Sequence, residues 1–293
     1  MISDFQTPSW LDKEEYPFEP KFFDTGAGRM HYIDEGKGEP IVMIHGNPTW
    51  SFLYRYLVKG LFKKYRCIAV DHLGFGFSDK PRDWSYLPED HARNLQNLIE
   101  SLGLKDITLV VQDWGGPIGL SYAVAHPENV KRLVIMNTWA WSVKGVFHYE
   151  SFSWFMSSFV GRFLIERFNF FAGPFMKMVF GDKSKLSVHI HDHYKKPFTT
   201  PEERKVCWKF PREIIGSSAW LQTIGSRLDT ISSKPTLILW GMKDIGFREE
   251  ELKQWEKILT NKNVMRLKHV GHYVQEELKS DFCTILEEFM TRS

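Results

Sequence analysis

Short runs of apolar and β-branched residues recur along the chain, and five of them predict strands. They span residues 40–45, 67–71, 107–111, 133–136 and 235–240. Each run is nearly continuous in its apolar character instead of alternating with polar residues, which is typical of strands that are buried on both faces of a parallel sheet. Helical patterns lie between the runs, and strands that alternate with helices predict a doubly wound α/β sheet.

Helix and turn signals support the same arrangement. Residues 88–101 have apolar side chains at helical spacing and are followed by Gly103, and residues 117–125 form a second helical pattern that stops at Pro127. Residues 22–32 favour an antiparallel hairpin, because two glycines interrupt a pair of short strand-like segments.

The pattern changes after Trp141. From residue 141 to residue 215 the strand-like runs disappear, and phenylalanine and methionine residues recur at helical spacing. The βα pattern resumes at Pro235. We therefore expect a helical cap (residues 141–215) inserted into a core formed by residues 1–140 and 216–293. The cap is expected to cover the carboxyl edge of the sheet, where such folds bind their ligands.

Composition narrows the functional classes. The 293 residues are 43% hydrophobic and 25% charged, with a formal net charge of +2, and no basic cluster suggests binding to nucleic acid. No uncharged stretch reaches the ~20 apolar residues of a membrane span. The N-terminus lacks a signal-peptide pattern, and three widely spaced cysteines suggest neither disulfides nor a zinc site. A soluble cytoplasmic protein is expected.

The most informative segment surrounds Asp113. An apolar strand runs directly into Gln112-Asp113-Trp114, and Gly115 and Gly116 then open a helix. This strand–turn–helix setting is typical of a nucleophile elbow, in which a strained turn lifts one side chain above the sheet. The usual serine is replaced by Asp113. Asp113 is also suited to capping the helix N-terminus, and this alternative has to be weighed against the other motifs.

An aspartate at this position changes the expected chemistry. A carboxylate is a weak nucleophile towards esters, but it can displace a good leaving group from a saturated carbon. The product would be an alkyl ester of Asp113, which water must hydrolyse with the help of a general base and an oxyanion hole.

The C-terminal region offers a base and an acid. His269 ends the last strand and is expected to be structural, and we favour His272 because it lies in a loop that enters the final helix. Asp244 follows the strand at residues 235–240 and is the expected acid that orients the histidine. Asn137 follows the predicted strand at residues 133–136, where an orienting acid could also stand, but its side chain is an amide. It is a further candidate for hydrogen bonding in the pocket.

The loop after residues 40–45 supplies candidate donors. His45-Gly46-Asn47 occupies the position of an oxyanion loop, so the backbone N–H groups of Asn47 and Trp114 are expected to face a tetrahedral oxyanion. Their side chains, an amide and an indole N–H, are neutral donors suited to a departing anion. A cationic side chain there would instead pair with Asp113. His45 is expected to be structural.

Together these motifs resemble the haloalkane dehalogenases. The matching segments are residues 45–50 (HGNPTW), 71–81 (DHLGFGFSDKP), 111–116 (VQDWGG), 240–244 (WGMKD) and 271–276 (GHYVQE). The resemblance implies an α/β-hydrolase fold with a helical cap and a haloalkane substrate that yields an alcohol and a halide. It implies Asp113 as nucleophile, His272 as base and Asp244 as acid, with Asn47 and Trp114 holding the halide. No cofactor or metal is implied.

The same resemblance leaves alternative activities open. β-Lactone decarboxylases of olefin biosynthesis share the aspartate, the histidine and the cap. Epoxide hydrolases share the fold and the aspartate, but need cap tyrosines, for which only Tyr149 and Tyr194 are available. A fluoroacetate-type dehalogenase would require arginines beside the nucleophile, where Gln112 and Trp114 stand.

Two hypotheses come from other classes. His189, His191, Asp192 and His193 suggest a metal site, but further spaced ligands are lacking, and a charged, solvated cap loop is favoured. A catalytically silent binding module is the second hypothesis. The complete set of nucleophile, base and acid argues against it.

Overall fold

Eight strands form a single sheet in the computed structural model, which describes residues 5–293. They are β1 (Lys21–Asp24), β2 (Arg29–Glu35), β3 (Pro40–Ile44), β4 (Arg66–Val70), β5 (Ile107–Gln112), β6 (Val130–Met136), β7 (Thr236–Gly241) and β8 (Lys262–Leu267). Their order is β1-β2-β4-β3-β5-β6-β7-β8. Strand β2 runs antiparallel to both its neighbours, and all other neighbouring pairs are parallel.

The five apolar runs form β3 to β7, and the predicted hairpin forms β1 and β2, so the predicted fold class is confirmed. The residues of β5 and β7 are buried throughout, because helices cover both faces of the central sheet. Strand β6 begins at Val130, earlier than predicted, since the exposed Lys131 interrupts the apolar run. Strand β8 is an edge strand with exposed positions, which explains its weaker apolar pattern.

Twelve α-helices accompany the sheet in the described part of the chain. They are α1 (Arg55–Leu61), α2 (Pro88–Ser101), α3 (Gly115–Ala125), α4 (Phe147–Ser157), α5 (Phe159–Phe168), α6 (Met176–Met178), α7 (Val188–Lys195), α8 (Lys205–Gly216), α9 (Ser218–Gly225), α10 (Glu249–Ile258), α11 (Val274–Leu278) and α12 (Ser280–Arg292). Helix α1 packs against α12, and α2 packs against α3. None of the helices within residues 5–293 combines the length and apolar character needed to cross a bilayer.

Helices α4 to α9 all lie between β6 and β7. The predicted cap, residues 141–215, contains α4 to α7 and all of α8 but its last residue, whereas α9 lies beyond it and packs against α3. Helix α4 packs against α5 and α8, and a π-helical turn (Phe171–Phe175) precedes α6. The prediction of a solvated loop at residues 189–193 is wrong, because these residues belong to α7. Ser187 caps that helix by accepting a hydrogen bond from the Ile190 N–H, and a serine in this position is a signal for the start of a helix.

A hydrogen bond from the cap segment reaches a buried ion pair of the core. The Arg55 guanidinium of α1 pairs with Glu276 of α11, and the Tyr194 hydroxyl of α7 donates a hydrogen bond to the same carboxylate. Arg55, Tyr194 and Glu276 are each no more than 1% exposed. Because a buried carboxylate is stable only when its hydrogen bonds are satisfied, the interaction fixes α7 against the core.

Candidate active site

Asp113 occupies a sharp turn between β5 and α3. Its φ of 51° lies in the left-handed region, which is costly for a residue with a side chain. The turn is held by the Asp113 N–H, which donates to the Asn137 carbonyl oxygen at 3.1 Å, and by the Asp113 carbonyl oxygen, which accepts from the Gly116 N–H at 2.9 Å. The turn after β5 therefore raises the Asp113 carboxylate at the carboxyl edge of the sheet.

Two glycines are required by the close approach of the surrounding backbone. A Cβ atom on Gly46 would lie 2.1 Å from Asp113 Oδ1, and one on Gly115 would lie 2.1 Å from the Ile44 carbonyl oxygen. Both distances are too short for any larger residue. Gly46 therefore brings the loop after β3 against the Asp113 carboxylate, and Gly115 brings the start of α3 against the backbone at the end of β3.

The Asp113 carboxylate is buried but surrounded by N–H donors. Burial raises its pKa, whereas the nearby His272 and the backbone N–H groups of Trp114 and Asn47 act in the opposite direction. The Asn47 N–H donates to Asp113 Oδ1 at 2.7 Å. The two backbone groups expected to form an oxyanion hole are therefore both at the carboxylate.

His272 lies between two aspartates. Its Nδ1 is 2.7 Å from Asp244 Oδ2, and its Nε2 is 3.8 Å from Asp113 Oδ2. Burial lowers the pKa of His272, but the charge of Asp244, its hydrogen bond and the charge of Asp113 outweigh burial and raise it above its usual value. The structure thus brings together the three predicted residues, with the imidazole Nδ1–H donating to Asp244.

The loop that carries Asp244 is anchored to the strand before it. The Asn137 side chain donates to the Gly241 carbonyl oxygen at 3.0 Å and accepts from the Gly241 N–H at 2.8 Å. Asp244 Oδ1 accepts from the Gly246 N–H at 2.8 Å. Asn137 therefore links the ends of β6 and β7, and it is not among the residues that line the cavity.

A cavity of about 250 Å³ opens above these residues. Its lining includes Asn47, Asp113, Trp114, Trp139, His148, Tyr149, Phe152, Phe171, Phe175, Val179, Pro211, Ile214, Asp244, Phe247, His272 and Tyr273. The Trp114 indole N–H has no acceptor within residues 5–293, whereas the Asn47 amide donates to the Cys207 carbonyl oxygen at 3.4 Å. Both side chains predicted to hold a halide line the cavity.

The other two histidines considered at the sequence level lie elsewhere. His45 is buried beneath the loop, where Nδ1 contacts the Gly46 carbonyl oxygen at 2.8 Å and Nε2 accepts from the His72 N–H at 3.0 Å. Burial lowers the pKa of His45 to about 4. His269 is exposed beyond β8.

Three residues of the site were not given a role by the sequence analysis. Gln112 Nε2 lies 2.7 Å from His272 Nε2, and the Phe247 ring stacks on the imidazole at 5.7 Å between centroids. Tyr273 lines the cavity beside His272. Gln112 is the one polar residue at the end of a largely apolar strand, and this position could have indicated a role in the site. Nothing in the sequence distinguishes Phe247 in the same way.

The cap also contacts the loop that holds His272. The His272 backbone N–H donates to the Val179 carbonyl oxygen at 2.9 Å. The Glu277 carboxylate accepts from the N–H groups of Gly181 at 2.9 Å and Gly271 at 2.7 Å. Backbone from the cap segment and backbone from the histidine loop therefore share the same acceptor.

The histidines of α7 contact a carboxylate and backbone groups and do not face a common point. His189 pairs with Asp12 at 2.8 Å, His191 contacts the Ala172 carbonyl oxygen at 2.7 Å, and His193 Nε2 accepts from the Asp12 N–H at 3.0 Å. Within residues 5–293 no group of three or more metal-ligating side chains converges.

Comparison with known proteins places this geometry in a family. Residues 39–277 match the family model described as the alpha/beta hydrolase fold. The chain belongs to the α/β-hydrolase family. It is 35% identical to haloalkane dehalogenase 2 of Mycobacterium bovis, over 95% of this chain and 97% of that protein. The recognised resemblance to haloalkane dehalogenases is confirmed.

Two further similarities are informative. A cis-3-alkyl-4-alkyloxetan-2-one decarboxylase of Shewanella oneidensis is 36% identical, over 94% of this chain and 90% of that protein. The crystal structure of haloalkane dehalogenase DatA from Agrobacterium tumefaciens C58 has a TM-score of 0.83 at 27% identity, and the alignment covers 94% of this chain and 96% of that one. The fold is therefore similar to that of a haloalkane dehalogenase. In sequence, the chain is similar both to a haloalkane dehalogenase and to a β-lactone decarboxylase.

Proposed function

We propose that this protein is a haloalkane dehalogenase that converts apolar haloalkanes and water into alcohols and halide ions. One observation carries the proposal: a buried carboxylate, Asp113, faces an apolar cavity with an imidazole 3.8 Å away that is oriented by a second carboxylate. A carboxylate in this setting suits displacement at a saturated carbon, and the paired imidazole suits hydrolysis of the resulting ester.

In the first step, an Asp113 carboxylate oxygen attacks the carbon that bears the halogen. The carbon–oxygen bond forms as the carbon–halogen bond breaks, and the halogen leaves with the bonding electrons as a halide ion. Asn47 and Trp114 are the proposed halide-binding residues, because both line the cavity next to Asp113 and carry neutral N–H donors. Neutral donors stabilise the departing anion without forming an ion pair with Asp113.

In the second step, His272 removes a proton from water, and the water oxygen attacks the carbonyl carbon of the ester. The negative charge that develops on the former carboxylate oxygen is stabilised by the backbone N–H groups of Asn47 and Trp114. The tetrahedral intermediate collapses, the alcohol leaves with the proton, and Asp113 is regenerated. Asp244 holds the imidazole in the required tautomer and stabilises its positive charge.

Gln112 is a proposed positioning residue for the base. As placed, its amide donates to His272 Nε2, the nitrogen that must accept the proton of water. Gln112 Oε1 is buried and has no partner among the described residues. The same side chain, rotated about its terminal bond, would present this oxygen to the protonated imidazole.

A second candidate activity is the opening and decarboxylation of β-lactones. The decarboxylase relative is as similar in sequence as the dehalogenase relative, and the proposed nucleophile and base suit both reactions. Epoxide hydrolysis has less support, because Tyr194 lies outside the cavity and donates to Glu276, while the Tyr149 hydroxyl donates to the Gly246 carbonyl oxygen at 3.3 Å.

The decisive experiment traps the ester. We expect the His272→Phe variant, mixed with 1-bromohexane, to release about one equivalent of bromide and to stop, because the ester forms but is not hydrolysed. Mass spectrometry should then find one hexyl group on the peptide that contains Asp113. The Asp113→Ala variant is the matched negative control.

Two results would contradict the proposal. An unmodified Asp113 peptide, together with consumption of a cis-3,4-dialkyl β-lactone by the unaltered enzyme, would establish the decarboxylase alternative. A hexyl group on another residue would remove Asp113 from the role of nucleophile.

The thiols support the proposed cytoplasmic location. Cys67, Cys207 and Cys283 are free, and the first two are buried. Burial raises the pKa of Cys67 to about 12 and that of Cys283 to about 11, so neither is a reactive thiolate at neutral pH. Free, unreactive thiols are typical of proteins in reducing compartments.

A further inference from the structure

Helices α4 and α5 expose an unusual set of apolar side chains on the outside of the cap. We call this set the outer cap face; it consists of Phe147, Trp154, Phe155, Phe159, Val160, Phe163 and Phe168. Phe147 is 84% exposed, Trp154 is 76% exposed and Phe159 is 85% exposed. Aromatic side chains are normally buried, so a contiguous exposed group of them indicates a binding surface.

The outer cap face is local to these two helices. Phe147 and Trp154 are seven residues apart and therefore lie on the same side of α4. The ring of Phe163 lies 6.5 Å from that of Phe159 and 5.7 Å from that of Phe168. Outside residues 141–215, the large apolar side chains of the described chain that are exposed are only Phe62 and Ile245.

The cap segment is also strongly basic. Residues 141–215 contain twelve Lys and Arg residues and seven Asp and Glu residues, a net charge of +5 in a chain whose total is only +2. The remainder of the chain is therefore negative. Arg167 lies on α5, and Arg212 lies on α8, which packs against both α4 and α5. Both side chains are exposed, and neither forms an ion pair in the described part of the protein.

The inner side of α4 forms part of the cavity wall. His148, Tyr149 and Phe152 line the cavity, whereas Phe147 and Trp154 on the same helix face outward. One helix therefore separates the outer cap face from the proposed substrate site.

We infer that the outer cap face binds a lipid surface that contains anionic lipids, with the aromatic rings at the level of the headgroups. Exposed Phe and Trp side chains with flanking Lys and Arg residues are the chemistry of interfacial membrane binding. A second copy of the chain is a less suitable occupant, because a symmetric dimer through this face would oppose two cap segments of charge +5.

Vesicle flotation tests the inference and requires no turnover. The full-length protein is mixed with vesicles of phosphatidylcholine alone or of phosphatidylcholine with a third phosphatidylglycerol, at low and at high salt. We expect flotation with the anionic vesicles that weakens as salt increases, because the basic residues contribute through screened attraction. Weak or absent flotation with phosphatidylcholine alone is expected.

Substitutions locate the binding surface. The triple variant Phe147→Ser, Trp154→Ser and Phe159→Ser should bind anionic vesicles on the order of tenfold more weakly or worse. The variant Arg167→Glu with Arg212→Glu should bind anionic vesicles about fivefold or more weakly per charge. Val188→Ser is the matched control, because Val188 is 71% exposed on α7, outside the outer cap face. Circular dichroism and thermal unfolding verify that each variant is folded.

The contradicting outcomes are distinct. Absence of flotation with anionic vesicles at low salt, or equal binding by the folded triple variant, would overturn the inference. A triple variant that changes only from an oligomer to a monomer in sedimentation would identify the face as a contact between copies. Failure to consume bromoalkanes would contradict the proposed function and leave the membrane inference intact.

Discussion

The floor and the roof of the cavity are built in different ways. On the floor, contributed by the core, Asp113, Asp244 and His272 are each held by hydrogen bonds from backbone or from one another. On the roof, contributed by the cap segment, Phe152, Phe171 and Phe175 pack ring against ring. Apolar contacts of this kind specify shape without fixing the direction of any polar group.

This difference suggests that the floor carries the reacting groups and that the roof determines which substrates fit. Reacting groups must be held within a fraction of an ångström, which strand ends and tight turns achieve. An apolar roof can change in volume without disturbing them, so one floor can serve several substrates. The similarity of the chain to relatives with two different activities is consistent with such a division.

The largest expected effect tests the floor. Asp244→Asn removes the charge that stabilises the His272 imidazolium, so turnover should fall by about 10²- to 10⁴-fold. Because the pKa of His272 is raised and only the neutral imidazole acts as a base, activity of the unaltered enzyme should decline as pH falls through that raised pKa. In the variant this decline should move to lower pH.

A pH–rate profile of bromide release measures both effects. Asp229→Asn is the control, since Asp229 is exposed and does not line the cavity. An unchanged position of the acidic decline in Asp244→Asn would mean that Asp244 does not set the pKa of the base.

An intermediate effect tests the connection between the floor and the roof. Tyr194→Phe removes a hydrogen bond to the buried carboxylate of Glu276, which should lower the free energy of unfolding by about 1–3 kcal/mol. Burial raises the pKa of Tyr194 well above its usual value, so the hydroxyl remains a donor at neutral pH. Urea unfolding gives the value. Tyr65→Phe, at a half-buried tyrosine, is the control. Equal destabilisation of the two variants would mean that the hydrogen bond from Tyr194 to Glu276 makes no particular contribution to stability.

The smallest expected effect tests the roof alone. Phe175→Ala removes apolar contact from the cavity, and KM for a long bromoalkane should rise about threefold to tenfold while kcat for a short one changes less than about twofold. Phe170→Ala is a matched control, because Phe170 packs on Phe175 at 5.6 Å but is not part of the cavity lining. Equal changes in both variants would indicate a general loss of cap packing.

The sequence predicted the sheet well because its central strands are buried on both faces. Continuous apolar runs at β3, β4, β5 and β7 leave little choice of structure, whereas the exposed positions of β8 give a weak pattern. The positions of Asp113, Asp244 and His272 were predictable for a related reason. Each follows a strand end or a turn that the chain order places at the same edge of the sheet.

The remaining features depend on distances that no sequence pattern encodes. Phe247 reaches His272 only because of the path of the loop after Asp244, and Gln112 does so only because the imidazole turns towards β5. The sequence pattern favours a loop at the histidines of α7, because their polar character masks a short helix with a serine cap. The packing of an apolar cap likewise follows from shape complementarity and not from spacing.

The shared acceptor Glu277 has a consequence for how the enzyme opens. Gly181 of the cap segment and Gly271 of the histidine loop both donate to this carboxylate, so movement of the chain at that point would also displace His272, the proposed base. We expect that corner to behave as a fixed hinge during substrate exchange. Movement is then expected in other parts of the cavity wall, such as α4 and the loop that carries the exposed Ile245 and Arg248.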